Sequence, residues 1–502
     1  MALFRSERDI GRGETPESQV EGPLIGLFIM VAVGATLAVQ ALFDNPAITA
    51  AVAVSIAVFV ITIFRVNFGI YLLVIAMLLS PEVSGREMGA GERNLVLRYD
   101  DLLIFVVFLG VMLRQTFDES PRYFLPTPIN WAIGAYMLVV TIATARGFYY
   151  NVPAYDTFTA QFVYMKMWQY FLIFFLVGIS ITSMDMIRKQ LILFFAVSLI
   201  VSFYAIYSIG ALARVSAPFE SGGTEPNTLG GYLMVIVCVA AGLYTQLKSN
   251  RTRLMLAAIM VISIIPFLFT LSRASYLAFI AAAIALGVVS RWYIFVVGTV
   301  AILFLSPYLM PTEVRERVNY TFQEGSGEHV SVFGMDTGLQ VDKSTYERIY
   351  VWQKVRYNLT VWPWLGGGVY WGRVLDSHYA RVLIESGILG FMTFLFLQFQ
   401  ILRCTRQTFR WQDDPMAKGL AIGVFAATIG LIVHSFGTVT FLIIRIMGPF
   451  WFLMALTMAA RELAIHQHYQ RWLAQQAARE PEVPPAATPT PATAAYSTAS
   501  RG

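Results

Sequence analysis

The chain has 502 residues, of which 57% are hydrophobic and 13% charged, with a mean hydropathy of +0.62 and a formal net charge of +5. Its apolar residues occur in blocks of about 18 to 22, the length that crosses the hydrocarbon core of a bilayer. A soluble core would instead interleave polar faces at the helical period. These properties exclude a soluble globular enzyme and a nucleic-acid-binding stripe, because the basic residues lie between the apolar blocks.

Run length predicts about fourteen helical spans and therefore an all-α polytopic membrane protein. The predicted spans lie near 24–42, 47–64, 67–80, 101–114, 129–145, 163–182, 190–212, 227–247, 254–271, 274–290, 292–309, 380–402, 417–436 and 439–460. Cys238 and Cys404 fall within or at the ends of these spans, so neither a disulfide framework nor a cysteine metal site is expected.

The Lys and Arg residues of the short loops predict the orientation of the spans. With the N-terminus inside, every alternate loop is basic, and both termini are predicted to be cytoplasmic. No cleavable signal is evident, because the first span is long enough to stay in the membrane. The predicted organisation is an N-terminal segment at 1–23, a transmembrane bundle at 24–309, an external loop at 310–378, C-terminal membrane helices at 379–460, and a cytoplasmic helix with a disordered Pro/Ala/Thr-rich tail at 461–502.

The external loop is far longer than an ordinary connection, and two arginines are predicted on its side of the membrane. Arg273 begins an apolar run, where a charge is costly unless it reaches interfacial water or an anion. Positive charge is normally held inside, so we predict an anion contact, with snorkelling to lipid headgroups as the alternative. Arg348 lies in a predicted amphipathic surface helix, where its guanidinium could grip two phosphate oxygens or simply pair with Glu347.

Other polar residues at the predicted span ends could carry chemistry. His378 stands just before a span, and an imidazole suits general-base work on a hydroxyl group. Asp376 could orient it, and an interfacial histidine at a helix start is the alternative. Lys166 and Arg445 lie in predicted spans, where charge is functional by default although its partner can be structural. No pair of His or carboxylate residues has a zinc spacing, so no metal site is expected.

The segment Trp362-Pro-Trp-Leu-Gly-Gly-Gly-Val-Tyr-Trp371 combines a turn, three glycines and flanking aromatic residues. Its glycines permit a ligand to approach the backbone closely. Its tryptophans are equally expected as anchors at the membrane interface. It lacks the Lys-Ser/Thr ending of a nucleotide phosphate loop.

Taken together, an ordered set of motifs resembles the O-antigen ligase and polymerase family. The motifs are Ser272-Arg273, Arg348-Ile-Tyr-Val-Trp352, Trp364-Leu-Gly-Gly-Gly368, Ser377-His378 and Glu385-Ser-Gly-Ile-Leu-Gly390. The resemblance is strongest across 220–405, and Leu97–Leu103 at the start of the fourth span is also similar to the family. Family members usually have Asn after the histidine, where this chain has Tyr379.

The resemblance implies a GT-C-type glycosyltransferase with a periplasmic catalytic loop, in the bacterial inner membrane, which needs no metal, cofactor or nucleotide sugar. Its donor would be a saccharide on undecaprenyl diphosphate. Its acceptor would be a hydroxyl of lipid A-core, a growing polysaccharide or a protein. Arg273 and Arg348 would hold the diphosphate and His378 would activate the hydroxyl, with Asp376, Lys166 and Arg445 in support. Chain-length regulators or export proteins would be its protein partners.

Two other functions stay open. A transporter or flippase for a lipid-linked saccharide or small anion would show charged residues near the midplane, broken helices and repeat symmetry. A non-catalytic membrane scaffold would tolerate single changes at Arg273 or His378. A ligase and a polymerase share the donor and differ only in the acceptor, so both fit the sequence.

Overall fold

The structure is a computed structural model. It describes residues 46–80, 98–118, 123–150, 157–211, 214–216, 218, 225–299, 301, 328–332, 335–341, 343–372 and 376–477. The predicted N-terminal segment, the first predicted span, half of the eleventh and the C-terminal tail lie outside these residues.

The described residues are mainly helical. The helices are α1 (Pro46–Phe64), α2 (Val66–Leu79), α3 (Tyr99–Thr116), α4 (Pro128–Tyr150), α5 (Thr157–Ser180), α6 (Met184–Tyr207), α7 (Pro226–Gln246), α8 (Asn250–Phe269), α9 (Arg273–Ser290), α10 (Lys343–Val361), α11 (His378–Trp411), α12 (Pro415–His434) and α13 (Ile444–Ala477), with a 3-10 turn at Thr440–Leu442. Strands β1 (Glu328–Val332) and β2 (Met335–Val341) form an antiparallel hairpin in the loop that is predicted to be external.

Every predicted span that falls within the described residues overlaps one of these helices. Eight helices are long and apolar enough to cross a membrane: α4 to α9, α11 and α12. The protein is therefore an all-α polytopic membrane protein. Local chemistry sets several helix starts, since the Ser183 and Asp414 side chains accept backbone N–H groups of the first turns of α6 and α12.

Helices α7 and α13 form the centre of the bundle. Every residue of α7 from Thr228 to Leu243 is buried, as expected for a helix that is apolar on all sides. In α13, the Trp451 ring packs against Phe171 and Phe174 of α5, with ring centroids 4.9 and 5.4 Å apart. This packing fixes the helices whose predicted outer ends carry the candidate site.

Helix α11 is broken near that end. Gly387 has φ 65° and ψ −162°, so a short helical half at 378–386 precedes a long one at 388–411. Helix α10 of the external loop packs on the short half, where Val351 and Val355 contact Ala380 and Ile384. A helix is therefore present around Arg348, as predicted, and it packs against the helix that begins with His378.

Candidate functional site

The segment from Trp362 to Tyr370, here called the glycine loop, closes the break in α11. A break leaves backbone N–H and C=O groups that must find partners at membrane depth. The glycine loop supplies them through four hydrogen bonds: Gly367 N–H to Ile384 O (3.0 Å), Gly368 N–H to Glu385 O (2.8 Å), Ile388 N–H to Pro363 O (2.8 Å) and Leu389 N–H to Trp364 O (3.1 Å). The loop and the broken helix thus form one unit.

Two glycines make this contact possible. Gly366 and Gly387 both have positive φ, at 61° and 65°, a region that other residues rarely adopt. A Cβ atom on Gly366 would lie 2.6 Å from the Glu385 carbonyl carbon, and one on Gly387 would lie 2.5 Å from the Trp364 carbonyl oxygen. The close approach that the structure shows at Gly366 is to the backbone of α11, and the predicted approach of a ligand to the glycines stays a prediction.

His378 is the first residue of α11 and is only 3% exposed. Its backbone N–H donates to the Ser435 carbonyl at 3.0 Å. The imidazole packs between Phe394 and Phe441, with ring centroids 5.1 and 5.4 Å away. Within the described part of the chain, neither ring nitrogen has a hydrogen-bond partner. The predicted orienting bond from Asp376 is therefore not present, and the histidine is buried in the bundle.

A small cavity, with about 10 Å³ of room, lies beside the imidazole. Its lining includes His378, Arg381, Glu385 and Tyr136. Because a cavity needs roughly 10–15 Å³ to hold one water, this cavity is about the size of a single water molecule. Polar groups that meet at such a cavity can exchange a proton through one bridging molecule.

Arg381 and Glu385 form a buried ion pair at this cavity, with Nε and Oε1 2.8 Å apart. Glu385 Oε1 also accepts the backbone N–H of Tyr370 at 2.8 Å, so the pair is joined to the glycine loop. Among the described residues Nη2 of Arg381 has no hydrogen-bond partner. Sequence analysis missed both residues as site candidates, although their i,i+4 spacing at the start of an apolar span was a usable signal.

Arg273 is the first residue of α9 and is half-buried. Its neighbour Ser272 caps the helix by accepting the Ser275 N–H at 3.2 Å. The preceding Leu271 has φ 52°, an unusual value for a non-glycine residue. Arg214 donates to the carbonyls of Thr270 and Leu271, both at 3.1 Å. The turn that carries Arg273 is thus held from two sides.

A buried hydrogen-bond network connects this turn to the end of α12. The Ser275 hydroxyl donates to Ser272 Oγ at 2.7 Å, and Ser272 donates to Asn227 Oδ1 at 2.7 Å. His434 Nε2 lies 3.0 Å from Ser275 Oγ, and its Nδ1 lies 2.9 Å from Thr440 Oγ1. Because the Ser275 proton is already committed to Ser272, Nε2 of His434 is the donor.

The Arg273 turn and His378 are held by two neighbouring residues at the end of α12. The network from Ser272 ends on His434, and the carbonyl of the next residue, Ser435, holds the His378 backbone. Arg348 lies in α10, which packs on α11, but its side chain lies outside the described residues. The structure thus brings the Arg273 turn and His378 to one end of the bundle and places the helix of Arg348 beside them.

Lys166 and Arg445 have partners elsewhere. Lys166 of α5 forms an ion pair with Asp101 at the start of α3, and Gln169 donates to the other oxygen of that carboxylate at 2.7 Å. Arg445 is 5% exposed and donates to the Pro218 carbonyl at 2.6 Å. Both cations hold segments of the bundle together in the described structure.

Comparison of the chain with protein-family models and with curated proteins finds no match. The argument for a function therefore depends on the geometry of the site. A buried imidazole, a guanidinium and an adjoining cap with a second arginine are groups that can accept a proton and bind an anion.

Proposed function

We propose that this protein is a membrane glycosyltransferase that moves a saccharide from undecaprenyl diphosphate to an acceptor hydroxyl. The observation that carries the proposal is the His378 site, where an imidazole whose two nitrogens have no partner among the described residues lies buried at a cavity with Arg381. Buried polar groups are usually bonded, so an unbonded imidazole beside a cavity is a candidate for chemistry more than for packing.

The proposed reaction needs one base and a charge clamp. The acceptor O–H gives its proton to His378 as its oxygen bonds to the anomeric carbon, and the bond from that carbon to the diphosphate oxygen breaks. Attack opposite the leaving group inverts the anomeric centre. Arg273 and Arg348 hold the charge that develops on the diphosphate, in place of a metal ion. Positions 348, 351 and 355 are spaced as one helical face, and Val351 and Val355 contact α11, which supports a place for Arg348 near the site.

We propose the same overall arrangement that the resemblance implies: a GT-C-type bundle of about fourteen spans in a bacterial inner membrane, with both termini cytoplasmic and the site periplasmic. The acceptor is a sugar hydroxyl of lipid A-core or a growing polysaccharide, or a protein hydroxyl. Asp376, Lys166 and Arg445 stay supporting residues, the last two through the bundle contacts described above.

A transporter of lipid-linked saccharides is the second candidate, because α11 is broken at Gly387 and carries the buried Arg381–Glu385 pair. Broken helices with buried charge are typical of transport sites. The glycine loop, however, satisfies the broken backbone from the predicted outer side. The break in α11 is therefore equally compatible with a rigid helix and with a helix that moves during transport.

The test is reconstitution of the full chain in liposomes with a lipid-linked saccharide pool from cells that lack the protein. We expect new glycosidic bonds with the wild-type protein. Arg273→Ala should lower the rate by about 10²–10³, the usual cost of one lost charge-stabilising donor, and Arg273→Lys should recover part of it.

Arg188→Ala, an exposed arginine on the predicted cytoplasmic side, is the matched control and should be neutral. Movement of labelled lipid across the membrane without bond formation would replace the transferase by a transporter. A normal transfer rate in Arg273→Ala would remove that arginine from the charge clamp.

A further inference from the structure

Four aromatic side chains lie where α4 ends and the glycine loop begins, and three of them, Tyr149, Tyr150 and Trp362, are in ring contact. Tyr149 is 83%, Tyr150 55% and Trp364 62% exposed, and Trp362 is partly buried between them and the bundle. The Tyr149 and Tyr150 rings lie 5.5 Å apart edge to face, and the Tyr150 and Trp362 rings lie 5.5 Å apart. We call these four residues the aromatic platform.

A half-buried cation, Arg146, holds part of the platform in place. The Arg146 guanidinium lies 4.0 Å from the centre of the Trp362 ring and 5.5 Å from that of Tyr150. Its Nη1 also donates to the Gly366 carbonyl at 3.5 Å. The Trp364 carbonyl is bound to Leu389 of α11. Since two rings stack on one guanidinium and the loop is bonded to the broken helix, the aromatic faces are fixed relative to the site.

The glycine loop joins the platform directly to the His378 cavity. It starts at Trp362 in the platform, and Val369 near its other end lines the cavity with His378. Between them, Gly366 touches both Arg146 and the backbone of Glu385. A ligand several sugar rings long could therefore lie on the platform and still present one hydroxyl to the cavity.

We infer that the aromatic platform binds the pyranose rings of the acceptor saccharide. The faces of aromatic rings carry partial negative charge, and the C–H groups on one face of a pyranose ring carry partial positive charge and form an apolar surface. Exposed Tyr and Trp offer such faces at little cost in conformational entropy. The inference rests on the proposed function, and it adds a saccharide subsite outside the groups that perform the chemistry.

The alternative is that these rings are membrane-interface anchors, and α4 offers a matched control for it. Trp131, near the opposite end of the same helix, is 82% exposed. An anchoring role predicts equal effects of Trp131→Ala and Trp364→Ala. A saccharide site predicts an effect at Trp364 alone.

The experiment uses the full chain in nanodiscs and, as probe, each of the two saccharide acceptors freed of its lipid by mild acid: the oligosaccharide of lipid A-core and that of the lipid-linked pool. Binding is measured by calorimetry and by saturation-transfer NMR. We expect Tyr149→Ala and Trp364→Ala to weaken binding about tenfold each, the effect of losing one ring contact, and to raise KM for the acceptor more than they lower kcat. Tyr149→Phe should retain binding because it keeps the ring face, and Trp131→Ala should match the wild type.

The inference is overturned if the wild-type protein does not bind the probe, if the platform variants bind it like the wild type, or if Trp131→Ala loses as much as Trp364→Ala. Its failure is distinct from failure of the proposed function. If the probe binds through the platform but no glycosidic bond forms, the proposed transferase function is wrong and the saccharide site stands. If the protein transfers saccharide and the platform variants have an unchanged KM for the acceptor, the transferase function stands and the saccharide site is wrong.

Discussion

The structure contains two largely buried clusters of charge, and they differ in how completely their atoms are bonded. In the first, Lys166 and Gln169 of α5 bind opposite oxygens of Asp101, which also accepts the N–H of Arg98 at 2.9 Å. In the second, Arg381 and Glu385 are paired, but the imidazole of His378 beside them is unbonded within the described residues.

The difference separates a cluster that stabilises the fold from a cluster that can serve as a functional site. In the first cluster each of Lys166, Gln169 and Asp101 already has a bonded partner, although Oδ1 of the adjoining Asp100 has none among the described residues. A ligand would therefore gain little from these three groups, and removal of one member leaves an uncompensated buried charge. A cluster with unused polar atoms at a cavity bears the cost of unmade bonds. It can recover that cost when a substrate or water binds. We therefore expect function to depend on the second cluster and stability on the first.

The largest effect is expected at His378. His378→Gln keeps a hydrogen-bonding side chain but not basicity, so single-turnover transfer should fall by about 10²–10⁴, the usual value of general-base catalysis. The variant should elute from size exclusion as the wild type does, and the amount of lipid-linked donor that it binds should be nearly unchanged. A transfer rate within a few-fold of wild type would mean that His378 serves only packing and that the second cluster is not the functional one.

The next effect concerns Arg381 and Glu385. Arg381→Met alone leaves a buried carboxylate and should cost about 3–5 kcal/mol of stability, measured as a fall in thermal unfolding temperature in detergent. The double change Arg381→Met/Glu385→Met removes both charges and should recover most of that stability. If the pair serves the site, the double variant folds well and still transfers poorly. Normal transfer by the double variant would show that this pair, too, only stabilises the fold.

The smallest effect on activity is expected at the first cluster. Lys166→Met should lower the unfolding temperature because Asp101 loses its cation. Lys166→Met/Asp101→Asn should recover stability, since Asn can still accept the Arg98 N–H that caps α3. Both variants, compared per mole of folded protein, should transfer within a few-fold of wild type. A selective loss of transfer in the stable double variant would place Lys166 in the function and not in the bundle alone.

Local sequence features predicted much of this fold. The polytopic all-α class, the helices within the described residues and the helix around Arg348 all follow from run length and periodicity. These properties depend on residues within about one helix length, because a bilayer demands roughly 20 apolar residues per span. The motif positions also come together in the fold, since Arg273, the glycine loop and His378 all lie at one end of the bundle.

The sequence could not predict which atoms meet at that end. Its motifs pointed to His378 but not to its burial, and to three glycines but not to their bonds with a break in α11. The bond between Ser275 and His434 joins residues 159 positions apart, and no local pattern specifies such a partner. Only the tertiary structure decided that Lys166 is neutralised and that the His378 imidazole has no partner in the described part of the chain. The reason is physical: burial and hydrogen-bond satisfaction depend on packing between helices, whereas helix formation in a membrane follows from the need of each segment to satisfy its own backbone.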